Sequence, residues 1–166
     1  LASHMHRLAM QGLSDTTKSS TPTDFALMNH VVHMILQVAP TAGVLAFVPP
    51  LLALAQETSA PVVSNAALVH HTLTCRWFVG AVFAQISNVW QQQSILDYLH
   101  VHHEPTLRDM APTAPDLSDS YDPSPLEIPH FGSGLYSEAP AYAWDTPFLI
   151  EALSSNLALQ KLAHVN

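Results

Sequence analysis

A long central stretch that is almost free of charge constrains this chain more than any other feature. From Phe25 to Leu96 the only formal charges are Glu57 and Arg76, with histidine taken as neutral. Charged residues make up 11% of the whole chain, whereas soluble domains typically contain about 25%. A monomer normally covers its surface with Lys and Glu. The stretch therefore predicts contact with other subunits or with further parts of a larger protein.

The charge balance excludes some classes of partner. The net charge is -8, and a phosphate backbone is bound by clustered cations that release its counterions. Anionic membranes likewise attract polybasic segments. Nucleic-acid and membrane binding are therefore not expected, because the five cations are scattered singly: Arg7, Lys18, Arg76, Arg108 and Lys161.

The chain divides into four segments on composition. Residues 1–21 read as a flexible arm, in which Ser3-His4-Met5 resembles a cloning remnant. Residues 22–104 form a charge-poor helical core, and residues 105–146 a proline-rich acidic arm. Residues 147–166 are expected to form a terminal helix that packs on the core. No secretory signal is recognised, so a cytoplasmic or intracellular location is expected.

The first helix is predicted at 22–38, because Pro22 suits a first helical position and Asp24 favours the helix dipole. Two apolar rows run along it, so we expect it to be buried on most sides. Pro40 ends it, and the pair Pro49-Pro50 predicts that 41–55 splits into two short helices. The rows are Phe25, Met28, Val32, Ile35 and Leu27, Val31, Met34, Val38.

The next helical pattern runs from Asn65 to about His103, which is long for a globular helix. A break is expected near Gly80 or around 87–93. The stretch 75–83 is also rich enough in aromatic and β-branched residues to form a strand. Val38 to Ala55 has no charge and reaches the length of a membrane span, but its prolines favour a core or an interface.

The segment after the core changes character. Prolines interrupt it too often for a long helix or a central strand, yet it is richer in aromatics than disordered segments usually are. We expect an extended arm lying on its own surface or on a neighbour's, followed by a helix from about Phe148 to Ala163. The predicted interface anchors of the arm are Tyr121, Phe131, Tyr136, Tyr142 and Trp144.

The fold class that follows is mainly α: an irregular helical domain of four to five helices, with the long arm before a C-terminal helix. At 166 residues the chain fits one domain. Helix packing is expected to supply the core, and an intramolecular disulfide is excluded because Cys75 is the single cysteine.

Histidines offer the clearest candidates for chemistry. A spacing of three or four residues puts ligands on one helical face, so two groups of residues with this spacing are candidate metal ligands. They match no His-Glu-x-x-His motif, and histidine also serves as a polar filler where Lys and Glu are avoided. The candidate ligands are His30 and His33 in one group and His100, His103 and Glu104 in the other.

Two further candidate sites lie in the central apolar stretch. Trp77, Phe83 and Trp90 are either core or the wall of an apolar ligand pocket. Cys75 lies in an apolar run and is expected to be a small buried hydrophobe, although Arg76 is adjacent. No phosphate loop or dinucleotide fingerprint occurs, so no cofactor is indicated.

The function expected is a non-enzymatic assembly role, as a self-associating subunit of a shell- or capsid-like particle or a scaffold. The expected partners of such a subunit are copies of itself or the other components of a larger assembly. The alternative is a helical enzyme or binding protein that uses His70, His71 or His100 beside the aromatic pocket. A third possibility is that these residues are a fragment of a larger protein, and that their apolar faces pack against other parts of it.

Overall fold

The structure is a computed structural model that describes residues 3, 4, 7, 22–63, 65–103 and 138–155. The described part is mainly α-helical, as predicted. Two short strands, β1 (Val62–Val63) and β2 (Glu138–Ala139), pair antiparallel with Val62 opposite Ala139. The helices are α1 (Pro22–Val38), α2 (Pro40–Glu57), α3 (Ala66–Trp90), α4 (Gln93–His102) and α5 (Thr146–Ser154).

Helix α1 has the bounds predicted from its prolines. Its buried face points at α3, where the ring of Phe25 meets that of Phe78 edge-on at 5.4 Å between centroids. The Gln85 side chain of α3 donates to the Asn29 side-chain oxygen at 2.8 Å. Val32 and Leu36 complete the buried row. The expectation that α1 is buried on most sides is wrong, because its second apolar row is exposed.

Helix α2 is continuous through Pro49 and Pro50, so the predicted split into two short helices is wrong. The two prolines cannot donate to the carbonyls four residues earlier, those of Leu45 and Ala46. Both of these residues are exposed, so water can satisfy the carbonyls that the prolines leave without a helical bond. The opposite face is anchored in the core by Val44, Phe47, Leu51, Leu54 and Ala55.

The long helical pattern breaks at the second of its two predicted places. Helix α3 ends at Trp90, and Gln91 adopts a left-handed conformation with φ 54°. The Gln92 amide then donates to the Ser87 carbonyl at 2.8 Å, which closes the helix end. Gly80 stays buried inside α3. The stretch 75–83 is helical, so the strand alternative is wrong.

Helix α3 is the centre of the fold. It packs against α1, α2, α4 and both strands. Its apolar residues occupy almost every side, and a single neighbouring element would cover only one face of the helix. Gly43 of α2 lets that helix approach α1 closely, since an added Cβ would lie 2.8 Å from the Leu36 Cδ2 atom. The buried apolar members of α3 are Val69, Leu73, Cys75, Phe78, Val79, Val82, Phe83 and Ile86.

Helix α5 returns the chain to this core. Asp145 caps it by accepting a hydrogen bond from the Phe148 amide at 3.0 Å, so the helix begins slightly before the expected start near Phe148. Leu149, Ala152 and Leu153 are buried. The helix ends at Ser154, short of the predicted Ala163. Residues 156–166 lie outside the described part of the chain.

Candidate functional site

The second apolar row of α1 forms an exposed stripe. Leu27 is 37% exposed, Val31 42%, Met34 52% and Val38 82%. We refer to these four residues as the α1 stripe. Scattered apolar residues are normal on a protein surface, whereas aligned apolar residues form a contiguous patch, which makes the stripe a candidate interaction site.

The surface around the stripe is nearly uncharged. Of the two formal charges between Phe25 and Leu96, only Glu57 is exposed. Arg76 is buried, with 1% of its surface accessible. This part of the chain therefore presents one formal charge to solvent. Its surface is even poorer in charge than the sequence alone indicates.

Arg76 holds two distant segments together. Its Nε and Nη2 atoms donate to the Thr58 carbonyl at 2.8 and 2.6 Å. Nη2 also donates to the Ala60 carbonyl at 3.1 Å, and Nη1 to the Pro140 carbonyl at 2.8 Å. The guanidinium lies 5.4 Å from the centre of the Tyr142 ring. Arginine suits this place because its rigid fork donates to several acceptors at once.

The position of Arg76 also explains why a buried cation is tolerated. Thr58 is the C-cap of α2, where the helix dipole is negative and carbonyls lack helical partners. Burial lowers the pKa of Arg76, while Tyr142 and Cys75 act in the opposite direction. An arginine pKa starts so high that the side chain stays protonated. Arg76 thus acts as a structural C-terminal cap of α2.

A second cluster joins α4 to the segment before α5. The His103 ring stacks on Trp144 at 3.8 Å between centroids. The Tyr142 hydroxyl faces both ring nitrogens of His103, with Nε2 at 2.8 Å. Burial, followed by the nearby His102, lowers the pKa of His103 to about 3. The imidazole is therefore neutral at neutral pH and serves as a packed polar core group.

The predicted arm anchors divide into two groups. Trp144 is buried in the main hydrophobic core, and Tyr142 is half-buried against it. The Tyr142 amide donates to the Ser59 carbonyl at 2.9 Å, so this part of the arm lies on the chain's own surface. The other predicted anchors, Tyr121, Phe131 and Tyr136, lie outside the described residues.

The candidate pocket residues are packed into the same core. Phe83 is fully buried, and its ring lies 6.4 Å from that of Trp144. Trp77 and Trp90 are half-buried against the core cluster. Core packing, the simpler of the two interpretations, accounts for the position of all three rings.

The candidate metal ligands do not come together in the described structure. His30 and His33 are exposed on α1, and His100 is exposed on α4. His103 is buried against Tyr142 and Trp144, and Glu104 lies outside the described residues. Among the described residues, no three His, Cys, Asp or Glu side chains form a group that could hold a metal ion.

Cys75 has a histidine neighbour one turn earlier on α3. Its Sγ atom lies 3.6 Å from His71 Nε2, a pairing that in a cleft would suggest a nucleophile and its base. Both side chains are buried, however. Burial raises the pKa of the Cys75 thiol far above its ordinary value. A protonated, inaccessible thiol does not act as a nucleophile.

Comparison with known proteins gives the chain no family. No protein-family model, no curated protein and no solved structure matches it. Within the described residues, no helix has the length and apolar character needed to cross a membrane.

Sequence reasoning missed the role of Arg76. The signal was present, because Arg76 is the only cation of a stretch that otherwise avoids charge. A single cation in an apolar segment is either an exposed exception or a buried group with several acceptors. Its acceptors, however, lie far away in the sequence.

Proposed function

We propose that this chain is a non-enzymatic assembly subunit that associates with copies of itself through uncharged helical surface. The observation that carries the proposal is the α1 stripe, four aligned apolar side chains in a stretch, Phe25 to Leu96, that has one exposed formal charge. Burying such a patch against a partner removes apolar area from water, which is the main driving force for association.

The charges of the protein favour the same assignment. The net charge of -8 keeps copies apart wherever carboxylates face each other. Association is therefore favoured at a face that lacks them, and α1 has Asp24 as its only acidic residue. No specific observation on the described residues favours the alternative of a metal-dependent or pocket-based enzyme.

The experiment that tests the proposal is the solution mass by light scattering or sedimentation over about a thousandfold dilution series. We expect a mass above the 18.1 kDa of one chain that falls with dilution. A mass of one chain at every concentration would overturn the proposal.

A further inference from the structure

We infer that the partner of the α1 stripe is the α1 stripe of a second copy, which lies antiparallel across a two-fold axis. This inference rests on the proposed self-association and adds its partner surface, its direction and its residue pairs.

The spacing of the stripe fits a helical partner. Leu27, Val31, Met34 and Val38 follow each other by steps of four, three and four residues. This alternation is the a and d pattern by which two helices pack knobs into holes. A helix that only covered its own core would use one apolar row, and α1 already has one in Phe25, Val32 and Leu36.

The residues beside the stripe are all neutral. Met28 and Ile35 lie along one edge, half-buried against the core. His30 and Gln37 lie along the other edge and are exposed. In paired helices these edge positions usually carry charges that select the partner. A second copy of an acidic protein meets no carboxylate at any of them.

The single acid of α1 sets the direction of the pair. Asp24 lies at the N-terminal end of the stripe. Parallel helices would place the two Asp24 carboxylates beside each other, which is unfavourable. Antiparallel helices that cross midway along the stripe separate them by about 25 Å along the helix axis, at 1.5 Å per residue.

An antiparallel pair also matches the symmetry of the stripe. With the axis midway along it, Val31 meets Met34 and Leu27 meets Val38 of the other copy, and each contact occurs twice. His30 then meets Gln37, and Met28 meets Ile35. In every pair the two residues are of different types, so side chains of different length can interdigitate.

The available area indicates how tight the pair is. The exposed area of the four side chains is roughly 400 Å², about half of the 800 Å² per partner found in standard interfaces. The α1 pair is therefore expected to be reversible and concentration-dependent. It is not an obligate dimer.

Cross-linking tests the direction of the pair. We would mix Val31→Cys and Met34→Cys proteins and oxidise them mildly, since a disulfide forms only where Cα atoms come within about 7 Å. We expect the mixed disulfide to exceed either homodisulfide by about tenfold. Homodisulfides of the separate variants at a similar level would overturn the antiparallel arrangement. Native Cys75 is buried and does not interfere.

A charge introduced into the α1 stripe tests whether this stripe is the contact surface between the two copies. Met34→Glu is expected to weaken association at least about tenfold, because two carboxylates would be buried in the pair. Ile150→Glu is the matched control, since Ile150 is 47% exposed on α5 and lies off the stripe. Thermal unfolding checks that both variants fold. Equal effects of the two variants would overturn the inference.

The two proposals fail in different ways. If the unchanged chain self-associates but neither the Met34→Glu effect nor the mixed disulfide is seen, self-association stands and the α1 pairing falls. If the unchanged chain is a monomer at every concentration, both fall. A monomer whose Met34→Cys thiol resists labelling would mean that the chain covers the stripe with another segment of its own, which also overturns the pairing.

Discussion

The Nη1 atom of Arg76 donates a hydrogen bond to the carbonyl oxygen of Pro140 at 2.8 Å, across 64 positions of sequence. The same guanidinium bonds to Thr58 and Ala60. The intervening Ser59 carbonyl accepts from the Tyr142 amide. Three successive carbonyls after α2 are therefore satisfied by α3 and by the segment before α5. This joint orders the C-terminal segment on the helical core.

Arg76→Ala is expected to lower the free energy of unfolding by about 3 kcal/mol, because it leaves several buried carbonyls without donors. Urea denaturation measures the change. Arg7→Ala removes the same charge at an exposed position and serves as the control, with an expected effect within about 0.5 kcal/mol. Hydrogen exchange in 138–145 should rise in the Arg76 variant, and unchanged exchange there would contradict the proposed joint.

Stability is expected to fall with acid through His103. Its folded pKa is depressed to about 3, so between that value and the ordinary pKa of about 6.5 the unfolded chain binds the extra proton. The contribution is complete above about pH 6.5 and is lost progressively as the pH falls towards 3. The groups facing the ring are Tyr142, Tyr98 and the adjacent His102.

The His103→Phe variant tests this pH dependence, because phenylalanine keeps the stack on Trp144 but does not titrate. The urea midpoint of the variant should change less between pH 7.5 and pH 5 than that of the unchanged chain. Val101→Phe, at a 64% exposed position of the preceding helix α4, adds a surface phenylalanine without removing a histidine and should leave the pH dependence as it was. If both variants reduced the change of the urea midpoint with pH by the same amount, the burial of His103 would not be its cause.

The Cys75 thiol is expected to resist labelling in the folded protein. Its side chain is fully buried and its pKa is raised by that burial, so neither access nor thiolate is available. Reaction with a chromogenic disulfide at pH 8 should proceed only after urea is added. Rapid labelling without urea would show that α3 opens around this position and would revive the nucleophile hypothesis.

Pro49→Ala is expected to stabilise the chain by about 1 kcal/mol or more, because it restores a helical donor in the middle of α2. The gain is reduced by the greater freedom of the unfolded chain. Pro61→Ala, outside the helices, gives the contribution of that freedom alone and should not stabilise. Thermal unfolding compares the two variants.

Local signals in the sequence determined where most helices begin and end. The prolines at 22 and 40 bound α1, and the Gln-rich stretch after Trp90 carries the break between α3 and α4. These features depend on φ restrictions and missing donors within a few residues, so they are readable without the rest of the chain. The scarcity of charge from Phe25 to Leu96 is likewise a property of the sequence.

The tertiary structure decided what those residues face. Both rows of α1 consist of apolar residues, and the packing of α1 against the core determines that Phe25 is buried while Met34 is exposed. Pro49 and Pro50 remain helical because packing anchors the opposite face of α2 in the core, while the carbonyls that lose their helical donors belong to exposed residues. Arg76 became a cap because carbonyls near residues 58 and 140 converge on it. Such convergence depends on contacts between distant segments, which periodicity and local propensity do not encode.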